Sequence, residues 1–310
     1  MISTRRYNKY LSQLIRNLFE GVEAWFPPMK NLMFLCGGAS EDSARYILKD
    51  YFGSRSDLNF QILLAEDFFT VVPNEEYTDL LTLENYLADY SDCILIILES
   101  PGAIAELGAF SNGKDKFLEK ILILNKNRYL GENSFINKGP VEKIKWKTKF
   151  CILGYDSPEN VLVVAEEILN QMRNNQRKRS FKEDLNSLAK PLEDYKDNFF
   201  PTYILLELIR LLAPISKKHI CSIMEILSGW KKNEINRRVS LLLALKYVEK
   251  VLLPSGKEER FYLVPNKRYD EELILRSRCK EYIRVRAKVL KIYLQFNAPI
   301  LKAYYEHCRQ

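Results

Sequence analysis

The sequence predicts an α/β domain with a doubly wound parallel sheet, followed by a mainly helical domain. Strand-like apolar runs alternate with helical patterns through residues 1–172, whereas only short helices and a hairpin are indicated in 199–310. A charge-dense stretch, 173–198, separates them as a linker. Charge divides the same way: residues 1–169 hold 18 Lys+Arg and 24 Asp+Glu (net −6), and 170–310 hold 29 and 16 (net +13), which sum to +7. A basic back half is typical of nucleic-acid binders.

Composition narrows the class of protein. At 310 residues and 47% hydrophobic content, the chain can build two real cores. No apolar window is long enough to span a membrane and the N-terminus lacks a signal-peptide pattern, so we expect a cytoplasmic protein without membrane contact. The six cysteines are scattered, which favours buried thiols in a reducing compartment. With only two histidines, no metal site is expected.

The most informative stretch is 92–112. Residues 93–98 form an aliphatic run that is typical of a strand buried on both faces. Ser100-Pro101-Gly102 predicts a turn, and a helical pattern follows it. Glu106 would then lie in the first turns of a helix at the carboxyl end of a strand, the edge where open α/β sheets bind ligands. The alternative is an ordinary solvated glutamate near the helix N-terminus.

Two further strands precede this stretch. A helix predicted over 4–26 would pack on the front domain or on a partner chain. The first strand, Asn31–Cys36, leads into Gly37-Gly38 and a helix starting near Ser40 and running to about residue 52. Strand, glycine turn and helix start together suit an anion or nucleotide, although two glycines also simply permit a tight turn. Strand 60–65 ends at Glu66-Asp67, which face the same pocket or are ordinary loop acids.

The remaining front elements follow the same alternation. We expect a helix over 74–90, strands over 120–124 and 149–153, and a closing helix over 161–172. Residues 127–147 carry few regular signals and are interpreted as a lid or an assembly loop.

The back half predicts a winged helix. Helices are expected over 203–212, 216–227 (capped by Ser216) and 231–246, followed by strands over 248–253 and 261–264. In such a fold the third helix enters a major groove and the hairpin touches backbone. The same fold also serves protein contacts, which stays open.

A last helix over 270–296 carries seven cations between residues 276 and 291. They are either a solvated face or a clamp for phosphates. The candidate nucleic-acid-binding residues of the back half are Lys231, Lys232, Asn236, Arg237, Lys257, Arg260, Arg284 and Lys288.

The stretch 92–112 resembles the nucleoside deoxyribosyltransferase superfamily, in which a glutamate lies in a helix start rich in small residues. The fuller pattern resembles the ribosyltransferase-like effector proteins of bacterial retrons, over essentially the whole chain. The Glu106 motif and the pairing of the two domains are its most specific parts. The matching pieces are FLCGG at 34–38, EDF at 66–68, LEN at 83–85, ESPG at 99–102, ELGAFSN at 106–112, SFIN at 134–137 and GP at 139–140.

The resemblance implies a toxic effector of an anti-phage system that cleaves an N-glycosidic bond, with NAD as substrate and no cofactor. It also implies a complex with a reverse transcriptase and its multicopy RNA–DNA hybrid (msDNA), in a higher-order assembly. Glu106 takes the catalytic position, where an ionised carboxylate stabilises or traps an oxocarbenium-like sugar, so Glu99 and Asp92 should not crowd it. The candidate substrate-binding residues are Cys36, Gly37, Gly38, Glu66, Asp67, Glu84, Asn85, Gly102 and Asn112.

Two other functions remain open from the sequence. One is a DNA-binding regulator whose front domain senses a nucleotide. The other is a metabolic deoxyribosyltransferase, or a glycosidase for free nucleotides, although a basic domain of this size is hard to explain in a metabolic enzyme.

Overall fold

The chain forms two compact units, residues 29–178 (the sheet unit) and residues 1–28 with 179–310 (the helical unit). The computed structural model describes residues 4–19, 22–25, 30–55, 57–58, 60–71, 79–175, 182–185, 195, 199–255, 258–266 and 279–309. No helix among these residues is long and apolar enough to cross a bilayer.

The sheet unit is built on five parallel strands. They are β2 (Asn31–Cys36), β3 (Phe60–Leu63), β4 (Cys93–Ile97), β5 (Ile121–Lys126) and β6 (Ile152–Tyr155), in the spatial order β3-β2-β4-β5-β6. Every residue of β2 and of β4 is buried, as expected for strands covered by helices on both faces. The predicted α/β class with a parallel sheet is therefore confirmed, while the more specific deoxyribosyltransferase-like fold stays a prediction.

Helices and helical turns connect these strands. They are α2 (Ala44–Gly53), α3 (Ala65–Phe69), α4 (Leu80–Tyr90), α5 (Pro101–Ser111), α6 (Asp115–Leu118), a 3-10 turn (Asn127–Tyr129), a π-helical turn (Asn137–Val141), α7 (Glu142–Lys145), a 3-10 segment (Pro158–Val164) and α8 (Ala165–Asn174).

Several helices and strands begin or end at residues other than the predicted ones. The N-cap of α2 is Ser43, whose side chain accepts the N–H of Tyr46 at 3.2 Å, rather than Ser40. Residues 65–69, predicted as the end of a strand and a loop, form α3. Strand β6 starts three residues later than expected, because the N–H of Cys151 donates to the side chain of Gln171 at 2.7 Å instead of to a neighbouring strand.

Two more corrections concern predicted helices and loops of the sheet unit. Helix α4 begins after Asp79, whose carboxylate accepts the N–H of Thr82 at 2.6 Å. The predicted start of that helix, 74–78, lies outside the described residues. The segment 127–147, interpreted as a loop, contains three short helical pieces.

The helical unit combines helices with two antiparallel strand pairs. Its elements are α1 (Thr4–Phe19), β1 (Val22–Trp25), β7 (Lys182–Leu185), α9 (Phe200–Leu212), α10 (Lys217–Ser228), α11 (Lys232–Ala244), β8 (Val248–Ser255), β9 (Glu258–Pro265) and α12 (Cys279–Arg309). Strand β1 pairs with β7, and β8 pairs with β9. As predicted, Ser216 caps α10, and Gly229 ends it in a left-handed conformation. The finer assignment as a winged helix stays a prediction.

The N-terminal helix lies in this unit and not in the front domain with which we grouped it. Its buried side chains, Leu11, Ile15 and Leu18, belong to a face that packs against α10, and Arg16 donates to the carbonyl of Ile226 at 3.3 Å. The prediction that the helix runs to residue 26 was wrong, because Val22–Trp25 is a strand.

The structure describes only part of two predicted segments, the linker and the last helix. Of the predicted linker 173–198, the structure describes the end of α8, β7 and Tyr195. The predicted start of the last helix, 270–278, also lies outside the described residues, but α12 continues past 296 to Arg309. It tolerates Pro299 because the following turns still bury Ile300, Leu301 and Tyr304.

Candidate active site

Glu106 lies on α5 in the predicted strand–turn–helix frame. Ser100 caps the helix by accepting the N–H of Ala103 at 3.2 Å, and Pro101 occupies the first helical position, where its missing N–H costs nothing. The buried residues Ala103, Leu107 and Phe110 fix one face of α5 against the unit. Glu106 lies between that face and solvent and is half-buried.

One oxygen of this carboxylate lacks a hydrogen-bond partner among the described residues. This atom, Oε2 of Glu106, is buried. Buried polar atoms are nearly always paired, because leaving one unpaired costs on the order of 1–3 kcal/mol. An unpaired carboxylate oxygen at the carboxyl edge of a parallel sheet is suited to an electron-poor atom brought by a ligand.

Burial raises the pKa of Glu106 above its ordinary value, and Glu66 adds to the effect. A hydrogen bond from the thiol of Cys36 and the positive charge of Arg45 act in the opposite direction. These two groups therefore favour the ionised carboxylate in a site where burial disfavours it.

Cys36 ends β2 beneath Glu106. It is 1% exposed, and burial followed by the charges of Glu106 and Glu84 holds the pKa of its thiol well above the ordinary value. The thiol therefore stays protonated and acts as a hydrogen-bond donor rather than as a nucleophile. The structure thus brings Cys36 to Glu106, as the candidate substrate site requires.

Arg45 is a site residue that the sequence analysis missed. It lies in the first turn of α2, its side chain is only 13% exposed, and its Nη1 contacts Oε1 of Glu66 at 2.8 Å. A cation in the first turn of a helix opposes the helix dipole, and this local conflict was the available signal for a functional role. Arg45 counters the charge of two carboxylates, Glu66 and Glu106.

Glu84 is the third carboxylate of the cluster and is supplied by α4. Burial, then the charges of Glu106 and Glu66, raise its pKa to about 7. Near neutral pH this side chain therefore exchanges a proton readily, as a general acid or base must. Cys36, Arg45, Glu66, Glu84 and Glu106 form what we call the acid cluster.

The glycine turn is not the open anion cradle that we expected. Both oxygens of Glu99 fill it: Oε1 accepts the N–H groups of Gly38 at 2.9 Å and of Arg45 at 3.0 Å, and Oε2 accepts that of Ala44 at 2.8 Å. A Cβ on Gly37 would lie 2.7 Å from the Cβ of Arg45. The glycines thus let α2 approach the strand end closely.

The two acids that were not to crowd Glu106 are both engaged elsewhere. Glu99 caps α2, as described. Asp92 lies at the amino end of β4, where its Oδ2 accepts the N–H of Leu32 at 2.8 Å. The requirement for an uncrowded Glu106 is met with respect to these two side chains.

Four candidate substrate residues are not brought into the acid cluster. Asp67 is exposed on α3, and Gly102 is exposed in the first turn of α5. Asn112 is the C-cap of α5 and lies about 9 Å beyond Glu106 along the helix axis. Asn85 follows Glu84 in α4 and points about 100° away from it around the helix.

The nucleic-acid candidates on α11 divide into two groups. Lys231 and Lys232 are exposed at its start. Asn236 accepts a hydrogen bond from the thiol of Cys221 at 3.2 Å, and Arg237 lies 3.9 Å from Glu234, so both take part in contacts within the unit. Residues 238–243 are all buried, which leaves mainly the first turn of this helix to meet a ligand.

The candidates outside α11 are mostly exposed. Arg260 is exposed on β9, and Arg284 and Lys288 are exposed one turn apart on α12. Their neighbour Arg286, counted among the seven cations, instead donates to the carbonyl oxygens of Leu211 and Ala213 at 3.0 and 2.5 Å. Lys257 lies outside the described residues.

Comparison with known proteins places this architecture among retron proteins. The model of the STM3845 retron effector protein family matches residues 41–250. A protein of Escherichia coli, named as a candidate ribosyltransferase/DNA-binding protein of retron Ec86, is 30% identical over 205 residues, 63% of this chain and 64% of that protein. A protein so named for retron Ec73, also of Escherichia coli, is 36% identical over 122 residues, 37% of this chain and 38% of its own length. The match thus spans less than two thirds of either relative.

Proposed function

The chain belongs to the STM3845 retron effector protein family, and from that premise we propose that its sheet unit is an N-glycosidase that hydrolyses NAD to nicotinamide and ADP-ribose. The observation that carries the proposal is the buried, unpaired Oε2 of Glu106 at the carboxyl edge of the sheet. The names of the two relatives, which include ribosyltransferase, support chemistry at an anomeric carbon.

The proposed reaction breaks the bond between the nicotinamide nitrogen and the anomeric carbon of the ribose. The bonding electron pair leaves with the nitrogen and neutralises the positive charge of the ring, so the leaving group needs no proton. The anomeric carbon develops positive charge. The free oxygen of Glu106 either stabilises this charge or forms a bond to the carbon. Water then adds its oxygen to that carbon and gives up a proton. Where Glu106 has bonded to the carbon, that bond breaks as the water oxygen adds, and its electron pair returns to the carboxylate.

The acid cluster supplies the remaining functions. Cys36 and Arg45 favour the ionised form of Glu106 against the effect of burial. Glu84, with a pKa of about 7, accepts the proton that the water releases. In this proposal Glu66, which pairs with Arg45 at 2.8 Å, accepts hydrogen bonds from ribose hydroxyls.

We further propose that the helical unit holds the effector in its retron complex. In this proposal it is a winged helix that binds the RNA–DNA hybrid made by the reverse transcriptase, and release or activation of the sheet unit depletes NAD in infected cells. Both relatives carry DNA-binding in their names. The exposed cations Lys231, Lys232, Arg284 and Lys288 support contact with phosphates.

The test is an NAD assay on the full chain together with its reverse transcriptase and hybrid. Chromatography should show nicotinamide and ADP-ribose in equal amounts, and Glu106→Gln should remove both products. Glu119→Gln is the matched control, because this exposed carboxylate of the same unit pairs with Lys149. Turnover that survives in Glu106→Gln would remove the assignment of the catalytic carboxylate.

A second candidate is transfer of the sugar to a nucleobase instead of to water. The ribosyltransferase names of both relatives favour it. The same assay repeated with free adenine or cytosine present separates the two candidates. A new nucleoside-containing product would identify transfer, whereas ADP-ribose alone would identify hydrolysis.

A further inference from the structure

A second feature of the sheet unit is a cavity of about 230 Å³ between the second half of β5, the start of β6 and the segment 130–145. Ile123 and Ile152, which are register partners on these strands, line it together with Leu130 and Val141. Asn125, next to the last residue of β5, brings one side of the cavity towards the carboxyl edge of the sheet, where open α/β proteins bind ligands. Apolar walls of this kind suit a flat heteroaromatic ring.

Polar groups converge on the same cavity. Asn125 lines it and is 4% exposed, and its Oδ1 already accepts the N–H of Lys126 at 2.8 Å. Its amide NH2 group is therefore the part that suits a ring nitrogen acceptor. Such an amide–base contact is a familiar means of reading adenine.

Both signs of charge line the cavity. Lys138 and Lys145 make no salt bridge with the residues that the structure describes, whereas the nearby Lys147 pairs with Asp115 at 2.8 Å. Glu132 and Glu142 also line it. Lysines suit phosphate oxygens, and a carboxylate suits ribose hydroxyls, as it does in dinucleotide sites.

The cavity adjoins α5, the helix that carries Glu106. One wall is the π-helical turn Asn137–Val141, which packs against α5. Asn137 stabilises this wall by donating to the carbonyl oxygens of Tyr129 and Glu132 at 2.6 and 2.9 Å. Insertions of the π type are frequent at functional sites.

We propose that this cavity binds the adenosine-phosphate half of the dinucleotide whose other half is cleaved at Glu106. The proposal rests on the proposed function. The acid cluster, with three carboxylates and one arginine, suits the cationic ring and the sugar but repels a diphosphate, which Lys138 and Lys145 attract instead. From β2 to the gap between β5 and β6 is roughly 12 Å, two and a half strand spacings, which a dinucleotide bridges.

A consequence is selectivity for a free ribose hydroxyl. Glu132 or Glu142 would accept hydrogen bonds from the adenosine ribose, and the same carboxylates would repel a 2′-phosphate. ADP should therefore bind more tightly than adenosine 2′,5′-bisphosphate, and NAD should be preferred over NADP.

The test is calorimetric titration of the full chain with ADP. Gly131 lines the cavity, and a Cβ added there meets no atom within 4 Å, so Gly131→Phe adds a ring at the cavity wall without a clash at Cβ and should obstruct the cavity. We expect at least tenfold weaker ADP binding. Gly53→Phe is the matched control, since Gly53 also faces open space in the same unit but lies at the end of α2.

A second pair of variants keeps the test decisive if Gly131→Phe perturbs folding. Lys138→Ala with Lys145→Ala should weaken ADP binding and raise the KM for NAD, whereas Lys143→Ala with Lys149→Ala should change neither. ADP that does not bind, or that binds equally to Gly131→Phe and to the lysine variant, overturns the inference even if NAD is hydrolysed. ADP binding at this cavity without any NAD turnover would instead count against the proposed function and leave a nucleotide site.

Discussion

The carboxylate of Glu99, at the end of β4, accepts the backbone N–H of Gly38, at the end of β2, at 2.9 Å. It also accepts two N–H groups from the first turn of α2. The strand end, the glycine turn and the helix start that carries Arg45 are thus joined by one side chain. Because Arg45 counters the charge of Glu106, Glu99 positions the acid cluster without belonging to it.

Glu99→Ala should lower the free energy of unfolding by about 2 kcal/mol, because three N–H donors lose a charged acceptor. Urea denaturation measures it, and NAD turnover should fall even though Glu106 is intact. Glu119→Ala is the control, since its carboxylate pairs with Lys149 at the surface. Equal stability of Glu99→Ala and the wild type would show that the cap does not hold α2.

A second prediction is that alanine substitution of two glycines changes the stability of the protein in opposite directions. Gly37→Ala places a Cβ 2.7 Å from that of Arg45 and should cost about 1–3 kcal/mol of stability. Gly53→Ala meets open space at the end of α2 and should gain up to about 1 kcal/mol. Thermal melts of both variants test this, and a stable Gly37→Ala would contradict the close approach.

The sheet could be predicted because its strands are nearly continuous aliphatic runs between turn signals. Glu106 could be placed because the turn at Ser100 and the helical spacing after it are local features. Arg45 and the role of Glu99 could not, because both depend on how β2 and β4 are paired, and that pairing joins residues 60 positions apart. The prediction that α1 packs on the front domain failed for the same reason, because an amphipathic stripe shows that a helix packs against something but does not identify the partner element.

A third prediction concerns Cys36. Cys36→Ala removes the donor that lowers the pKa of Glu106, so the effect of burial is opposed less and the pKa rises further. In the proposed reaction the ionised carboxylate is the active form, so the acid limb of the pH profile of NAD turnover should move to higher pH. Cys36→Ser keeps a donor and should restore the profile. Cys93→Ala, another buried thiol but at the start of β4, should leave it unchanged.

A fourth prediction concerns how the stability of the protein depends on pH. The pKa of Glu84 rises from 4.5 to about 7 on folding, so the folded state holds its proton more tightly. The stability that Glu84 contributes is therefore present below about pH 4.5 and is lost as the pH rises through 7. Glu84→Gln removes this dependence. The free energy of unfolding of Glu84→Gln, relative to that of the wild type, should rise by about 1 kcal/mol from pH 5 to pH 8. This value is reduced for the partial solvent exposure of the carboxyl.

Urea denaturation at several pH values measures the difference between the two proteins. The same comparison with Glu119→Gln gives the background of a surface carboxylate. A difference that stays flat from pH 5 to pH 8, or that changes in the opposite direction, would show that Glu84 is not held in a buried, negatively charged environment.

The last prediction separates binding cations from structural ones on α12. Arg284 and Lys288 are exposed and one turn apart, whereas Arg286 between them donates to the carbonyls of Leu211 and Ala213 at the end of α9. In the proposed complex each of these two side chains contacts one phosphate, so Arg284→Ala and Lys288→Ala should each reduce the salt dependence of binding to the RNA–DNA hybrid by about one unit of slope. Neither should change thermal stability.

Arg286→Ala should behave in the reverse way. It leaves two carbonyl oxygens at a helix end without their charged donor, so it should lower the free energy of unfolding by about 1–3 kcal/mol. Binding titrations at several salt concentrations, together with melting curves, measure both effects on the same proteins. If Arg284→Ala, Lys288→Ala and Arg286→Ala change the salt dependence of binding equally, α12 presents a general basic surface. The distinction between binding and structural cations, which is based on the hydrogen bonds of Arg286, would then be wrong.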